Sequence, residues 1–255
     1  MAAPTPVSAL VHSSTLVTSG VYLFIRFYFY IGVNIWVILI IIGVTTIFFS
    51  GVVGLVENDF KKIVALSTLR QIGLIIRRLG LGAYYYCFYH LILHALFKSL
   101  LFLGVGVVIH RYRGLQDGRL YGRLMFSSPV LGVYFLLSLM RLIGIPYISG
   151  FYSKDLIVEY SLFMGLNLVI LVAIYLSLGL TLIYRARLIY NFVFQQSLNE
   201  CSLSTKLSWV VPIGILGVLS VLIRPWVSLV ILFLGHRLLF GGFKILIMII
   251  LVLGL

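Results

Sequence analysis

The stretch from Ile31 to Val56 runs for 26 residues without one charged side chain. A bilayer core about 30 Å thick takes about 20 helical residues, so a segment of this kind crosses a membrane. Most of Tyr160 to Tyr184 has the same character. Lipid cannot satisfy open backbone groups, which restricts spanning elements to helices or a closed barrel, and unbroken apolar runs lack the alternation of barrel strands. The fold class is therefore all-α: a polytopic transmembrane helix bundle. Composition agrees, with 62% hydrophobic and 10% charged residues and a mean hydropathy of +1.17, a balance that excludes a water-soluble fold.

The net charge of +13 comes mainly from Lys and Arg in short links between apolar runs, not from a basic domain, so no nucleic-acid partner is expected. Cys87 and Cys201 have no CxxC or Cys/His spacing, which leaves neither a disulfide framework nor a zinc site. The opening MAAPTPVSALVHSS carries no positive charge, and the first cation is Arg26; this argues against a secretory signal and an Arg-rich transit peptide.

About eight spans can be drawn. Pro4 and Pro6 suit a helix start, and Val7 to Phe29 makes a first span bearing His12. Ile31 to Val56 is the second. A third, Ile63 to Leu79, carries Arg70, Arg77 and Arg78 and must face protein or water. The fourth, Tyr84 to Ile109, bears His90, His94 and Lys98. Ser128 to Met164 is too long for one plain span and holds Arg141, Gly144, Pro146, Gly150, Lys154 and Asp155, the pattern of a discontinuous helix whose freed backbone groups face a polar cavity. Spans from Gly165 to Tyr184 and Leu207 to Leu234, and an apolar stretch to Leu255, follow. If spans alternate, the links 57–62, 110–123 and 185–206 lie on one side with nine Lys or Arg, which places them in the matrix or cytoplasm.

His90, His94 and Lys98 stand at i, i+4 and i+8. Each step of four returns to within about 40° of the same helix face, so the three share one stripe. Ionisable groups in mid-bilayer are costly, and such a stripe implies an internal polar path, along which lysine and imidazole can exchange protons. The bland alternative is that they only hydrogen-bond neighbouring helices. A zinc site is disfavoured because HEXXH needs glutamate after the first histidine and Leu91 stands there. Lys154 and Asp155 lie either at a membrane surface or, carried inward by the helix break, at an ion site. His12 reads as structural. Asp59, Lys61 and Lys62 form a helix-end cluster in which the two cations oppose the macrodipole.

Four segments carry a resemblance: PTPVSALVHSSTLVTSGVYL (4–23), NDFKKIVALSTLRQIGL (58–74), HLILHALFKSLLFLGVGVVIH (90–110) and IPYISGFYSKDLIVE (145–159). In order and spacing they resemble the mitochondrially encoded chain 5 subunits of respiratory complex I, NADH:ubiquinone oxidoreductase, whose fold is shared by Mrp-type antiporters. The resemblance implies residues 1–30 as the last helix of a first antiporter-like repeat, 31–200 as a second repeat of about five transmembrane helices broken near 145–155, and 201–255 as C-terminal transmembrane helices. It implies proton translocation through His12, Lys61, His90, His94, Lys98, Lys154 and Asp155, with Lys98 the central relay and Lys154 nearest the exit. It also implies no cofactor in this chain, with NADH, FMN, iron–sulfur and ubiquinone bound by partner subunits. Other membrane-arm subunits, membrane lipids and a polypeptide supplying the first repeat would be partners, and the mitochondrial inner membrane the location. Arg70 and Arg141 depart from the pattern, standing where the family usually has small or neutral residues. The chain reads as half of a split subunit or a fragment. A sodium/proton antiporter-type subunit and a structural assembly half-subunit are the alternatives.

Overall fold

The computed structural model describes residues 7, 10–11, 15–121, 128–144, 150, 161, 168–193 and 210–220. Among them every long element is a helix: α1 (Leu16–Arg26), α2 (Val33–Val56), α3 (Phe60–Gly80), α4 (Tyr84–Arg111), α5 (Pro129–Ile143), α6 (Leu168–Val193) and α7 (Val210–Ser220), with one turn of 3₁₀ helix at Tyr28–Tyr30. By length and apolarity α2, α4 and α6 are able to cross a membrane. The expected spans for α2, α3 and α4 agree with these helices to within three residues at either end.

Burial separates the helices by role. Along α2, Val37, Ile38, Ile41, Ile42, Phe48 and Phe49 are exposed, an apolar surface that suits lipid. α4 is enclosed by α3 and α5, and most of its apolar length is buried. α2 packs along α3 and α6, while α1 touches α3 and α4. The largest apolar cluster joins α3, α4, α5 and α6 through Phe60, Val64, Phe102, Phe135, Tyr184 and Phe192.

The link after α4 docks on the start of α3. Phe60 N–H, an orphan donor at the helix N-terminus, donates to Gln116 O at 3.0 Å, and Gly118 N–H donates to Asn58 O at 2.9 Å. Tyr121 seals the joint: its ring packs on Phe60, Tyr112 and Phe192, its hydroxyl donates to Leu115 O, and burial pushes its phenol pKa upward. Asp59 occupies the N-cap position of α3 but makes no side-chain cap; it pairs with Lys62 at 2.9 Å instead.

Two boundaries need comment. α5 stops at Ile143, where Gly144 takes a left-handed conformation at φ 85° and returns its N–H to Met140 O, a conformation open to glycine at little cost. The expected break at 146–150 and the Lys154–Asp155 pair fall on residues outside the described set, Gly150 excepted. The expected polar loop beginning at 185 is corrected: α6 continues to Val193. Arg185 donates to Leu142 O on α5, and Arg187 donates to Leu55 O at 2.6 Å and to Glu57 O. Carbonyls at neighbouring helix ends thus take up the guanidiniums that the linear reading assigned to solvent, and Arg185 and Arg187 leave the loop-charge count.

Candidate functional site

The stripe on α4 faces inward. His90 is 4% exposed, His94 1% and Lys98 0%, and α3 supplies what they meet. Val64, Ser67 and Gln71 are spaced three and four apart, on one face of that helix. Lys98 Nζ donates to Val64 O at 3.1 Å and to Ser67 Oγ, and His90 Nε2 lies 3.1 Å from Gln71 Oε1. An ammonium in this place is solvated by a carbonyl and a hydroxyl instead of a carboxylate. Ser67 and Gln71 are the partners that the linear reading passed over; their signal was the shared face with Val64 inside the segment 58–74.

His94 sits between the two and makes no hydrogen bond at either ring nitrogen. Its ring centre is 6.4 Å from that of His90. The stripe is therefore two anchored groups flanking one unanchored imidazole, with no direct hydrogen bond between its members. Lys61 is 9% exposed at the first turn of α3, three residues, or about one turn, before Val64, whose carbonyl holds Lys98. His12, Lys154 and Asp155 lie outside the described residues, so the structure brings together His90, His94 and Lys98 and places Lys61 on the helix that receives Lys98.

Arginines surround this stripe. Arg70, Arg77, Arg141 and Arg185 are 0–3% exposed. Arg70 donates to Ser177 O on α6, Arg141 to Ser220 Oγ on α7, and Arg185 to Leu142 O. Among the described residues Arg77 has no hydrogen-bond partner at any of its three guanidinium nitrogens. Arg141 also lies 5.5 Å over the Phe97 ring, and Arg78 lies 4.5 Å over the Tyr86 ring. The described acids, Glu57, Asp59 and Asp117, are all at the end of the bundle where α3 begins, and Lys62 takes the first two at 3.6 and 2.9 Å. Among the described residues none of Arg70, Arg77, Arg141, Arg185 and Lys98 meets a carboxylate. Insertion scales put a charged residue at the centre of a membrane helix at about 2.5–3.5 kcal/mol, so each of these groups is a serious cost where it stands.

An open groove of about 380 Å³ lies on another side of α3, lined by residues such as Val17, Val53, Leu66, Leu69 and Ile72. None of the stripe residues reaches it. Among the described residues no three His, Cys, Asp or Glu come together in a form that could hold a metal ion. What the stripe can do chemically is hold a proton at Lys98 or His90 and pass it over a short gap at His94, provided water or a small motion bridges the gap.

Comparison with known proteins fits this fold. The model of the family described as NADH:quinone oxidoreductase/Mrp antiporter, transmembrane region, matches residues 1–181. NADH-ubiquinone oxidoreductase chain 5 of Aedes aegypti is 47% identical over 191 residues, 74% of this chain and 33% of that protein. The protein of the same name from Locusta migratoria is 44% identical over 230 residues, 87% of this chain and 39% of its own length. This chain thus spans between a third and two fifths of the curated relatives it matches here. Among solved structures, the Mrp complex from Dietzia sp. DQ12-45-1b superposes with a TM-score of 0.76 at 28% identity, over 87% of this chain and 25% of that one. The membrane-bound sulfane sulfur reductase, an archaeal respiratory membrane complex, gives a TM-score of 0.77 at 20% identity over 89% of this chain and 47% of that one, a likeness of fold.

Proposed function

This chain belongs to the NADH:quinone oxidoreductase/Mrp antiporter transmembrane family, and from that premise we propose that it is the second-repeat region of a complex I chain 5 subunit. It is a multi-pass membrane protein, in our reading of the mitochondrial inner membrane. Its task there is to move protons, with electron transfer from NADH to ubiquinone carried out on partner subunits that bind the cofactors. The observation that carries this reading is Lys98, wholly buried and held by Val64 O and Ser67 Oγ with no described carboxylate beside it. A cation solvated only by neutral dipoles responds strongly to charge arriving nearby. Charge movement elsewhere in the membrane arm then decides whether Lys98 keeps its proton.

The remaining assignments follow the same reading. His90 and His94 relay protons to Lys98, Lys61 and His12 serve the approach, and Lys154 with Asp155 serves the exit. Residues 1–30 complete a first repeat supplied by another polypeptide or by a longer form of this chain, 31–200 form the second repeat, and 201–255 continue into further membrane helices. Membrane lipids and neighbouring membrane-arm subunits cover the exposed apolar faces.

The likeness to the Mrp complex supports one second reading, cation/proton exchange. The deciding experiment reconstitutes the assembled complex in proteoliposomes and measures proton uptake during NADH oxidation with and without sodium. Proton uptake coupled to NADH oxidation and lost in Lys98→Ala supports the proposal. Uptake that requires sodium favours exchange, and coupling unchanged in Lys98→Ala refutes the relay.

A further inference from the structure

Arg70, Arg77, Arg141 and Arg185 are enclosed in the bundle, and Arg77 makes no hydrogen bond. Arg187 shows how the same fold treats a guanidinium it can use: half-buried at the end of α2, it reaches the carbonyls of Leu55 and Glu57 and, at 3.3 Å, the side chain of Asn58. The contrast lies in position and in satisfaction: Arg187 crowns a helix end with both terminal nitrogens bonded, Arg70 and Arg77 stand in the middle and far part of a helix, and Arg185, though it reaches Leu142 O, is fully buried with its Nη2 unpartnered among the described residues.

Packing sharpens the contrast. On α3, Arg70, Gly73, Arg77 and Gly80 recur three or four residues apart and form one stripe along the contact with α2 and α6. A Cβ added at Gly43 would stand 2.7 Å from Arg77 Cβ, and one added at Gly73 would stand 2.9 Å from Ile47 Cγ1. Helices this close are joined by small residues, and in membranes Gly, Ala, Ser and Thr make such seams. Glycine and serine are the members of that set already used nearby. Ser67, Ser138 and Ser177 are each buried, and each hydroxyl donates to the carbonyl three residues back in its own helix, at 2.6 Å. A serine at these positions satisfies itself, whereas an arginine brings five N–H donors that need acceptors.

We propose that the chain assembled in the cell carries serine at 70, 77, 141 and 185, because the codons there are AGA or AGG. The standard code reads those triplets as arginine, and many invertebrate mitochondria read them as serine. The inference rests on the mitochondrial location proposed above. Arg187, which has work to do, is by the same logic encoded by CGN. Serine at the four positions removes from the membrane interior four charges that meet no carboxylate among the described residues, and turns the α2–α3 contact into a continuous small-residue seam.

The test reads the native protein. The membrane complex is isolated from the source organism and digested with trypsin, peptides spanning 63–98, 129–144 and 168–193 are sequenced by mass spectrometry, and the codons of the gene are read beside them. Serine at 70, 77, 141 and 185, no cleavage after any of them, and AGA or AGG at all four codons are expected. Peptides ending at Arg70 or Arg77, or CGN codons at these positions, would overturn the decoding while leaving the transport reading intact. A gene outside a mitochondrial genome would overturn the decoding alone. A second measurement uses packing alone: with partner subunits co-expressed in one host, the form with Arg70→Ser, Arg77→Ser, Arg141→Ser and Arg185→Ser should accumulate in assembled complex at least about tenfold above the arginine form, and equal accumulation contradicts the seam argument.

Discussion

Helix α3 meets α4 on one side and α2 on the other, and the two contacts treat ionisable groups in opposite ways. Toward α4 it offers Val64 O, Ser67 Oγ and Gln71 Oε1, and the side chains that arrive, Lys98 and His90, find them. Toward α2 it offers Gly73 against Gly43, Thr46 and Ile47 and Gly80 against Trp36 and Ile40, with room for almost nothing, and Arg77 arrives with no acceptor among the described residues. A buried polar group is tolerated where the opposing helix was built to receive it. The first contact has the character of a working site and the second that of a structural seam.

The comparison breaks first at Lys98. In an assembled complex, Lys98→Ala should lower proton transport by at least about a hundredfold, the low end of what a positioned proton donor contributes, while complex abundance stays near wild type. Arg at the same place should not rescue, because guanidinium does not release its proton. Proton uptake and NADH oxidation measured together check both variants, and normal coupling in a fully assembled Lys98→Ala complex would make the α4 contact structural too.

The seam is the next target. Gly43→Leu forces bulk against the Arg77 backbone, where a single added Cβ would already stand 2.8 Å from its nitrogen. Overpacking of that kind costs about 1–3 kcal/mol or more. The expected result is a lower thermal midpoint of the complex with unchanged sodium dependence. If Gly43→Leu left stability untouched, the close approach of α2 and α3 would be wrong.

A smaller effect separates Ser67 from its neighbours. Ser67→Ala removes one of the two acceptors that Lys98 reaches and leaves the Val64 carbonyl; a hydrogen bond to a charged group is worth about 1.5–3 kcal/mol. Proton transport should fall and its pH profile should move, with assembly little changed, whereas Ser138→Ala, whose hydroxyl serves its own helix, should leave the pH profile alone. The weakest expectation concerns the exposed end of α3. Lys62 is paired with Asp59 and Glu57 but half exposed, and Lys62→Ala should leave the melting midpoint of the complex unchanged within error, since surface ion pairs contribute little.

Much of this was written along the chain. The uncharged run 31–56 required a membrane helix, and the i, i+4, i+8 spacing put His90, His94 and Lys98 on one face before any fold was known. Such inferences succeed because helical periodicity and bilayer thickness are local constraints. The end of α6 was not legible in the same way: Arg185 and Arg187 look like loop charge until Leu142 O, Leu55 O and Glu57 O, from residues distant in sequence, are brought against them.

The sequence by itself determined that the chain spans a membrane, that its buried charge lies on α3, α4 and their neighbours, and that one face of α4 carries titratable groups. Tertiary structure alone decided which of those groups have partners. Ser67 and Gln71 meet Lys98 and His90 because α3 and α4 pack at that register, while His94, one turn from each, has no hydrogen-bond partner among the described residues. The physical reason is that periodicity fixes direction around a helix axis, but a hydrogen bond requires an acceptor within about 3 Å, and only the packing of two helices sets that distance.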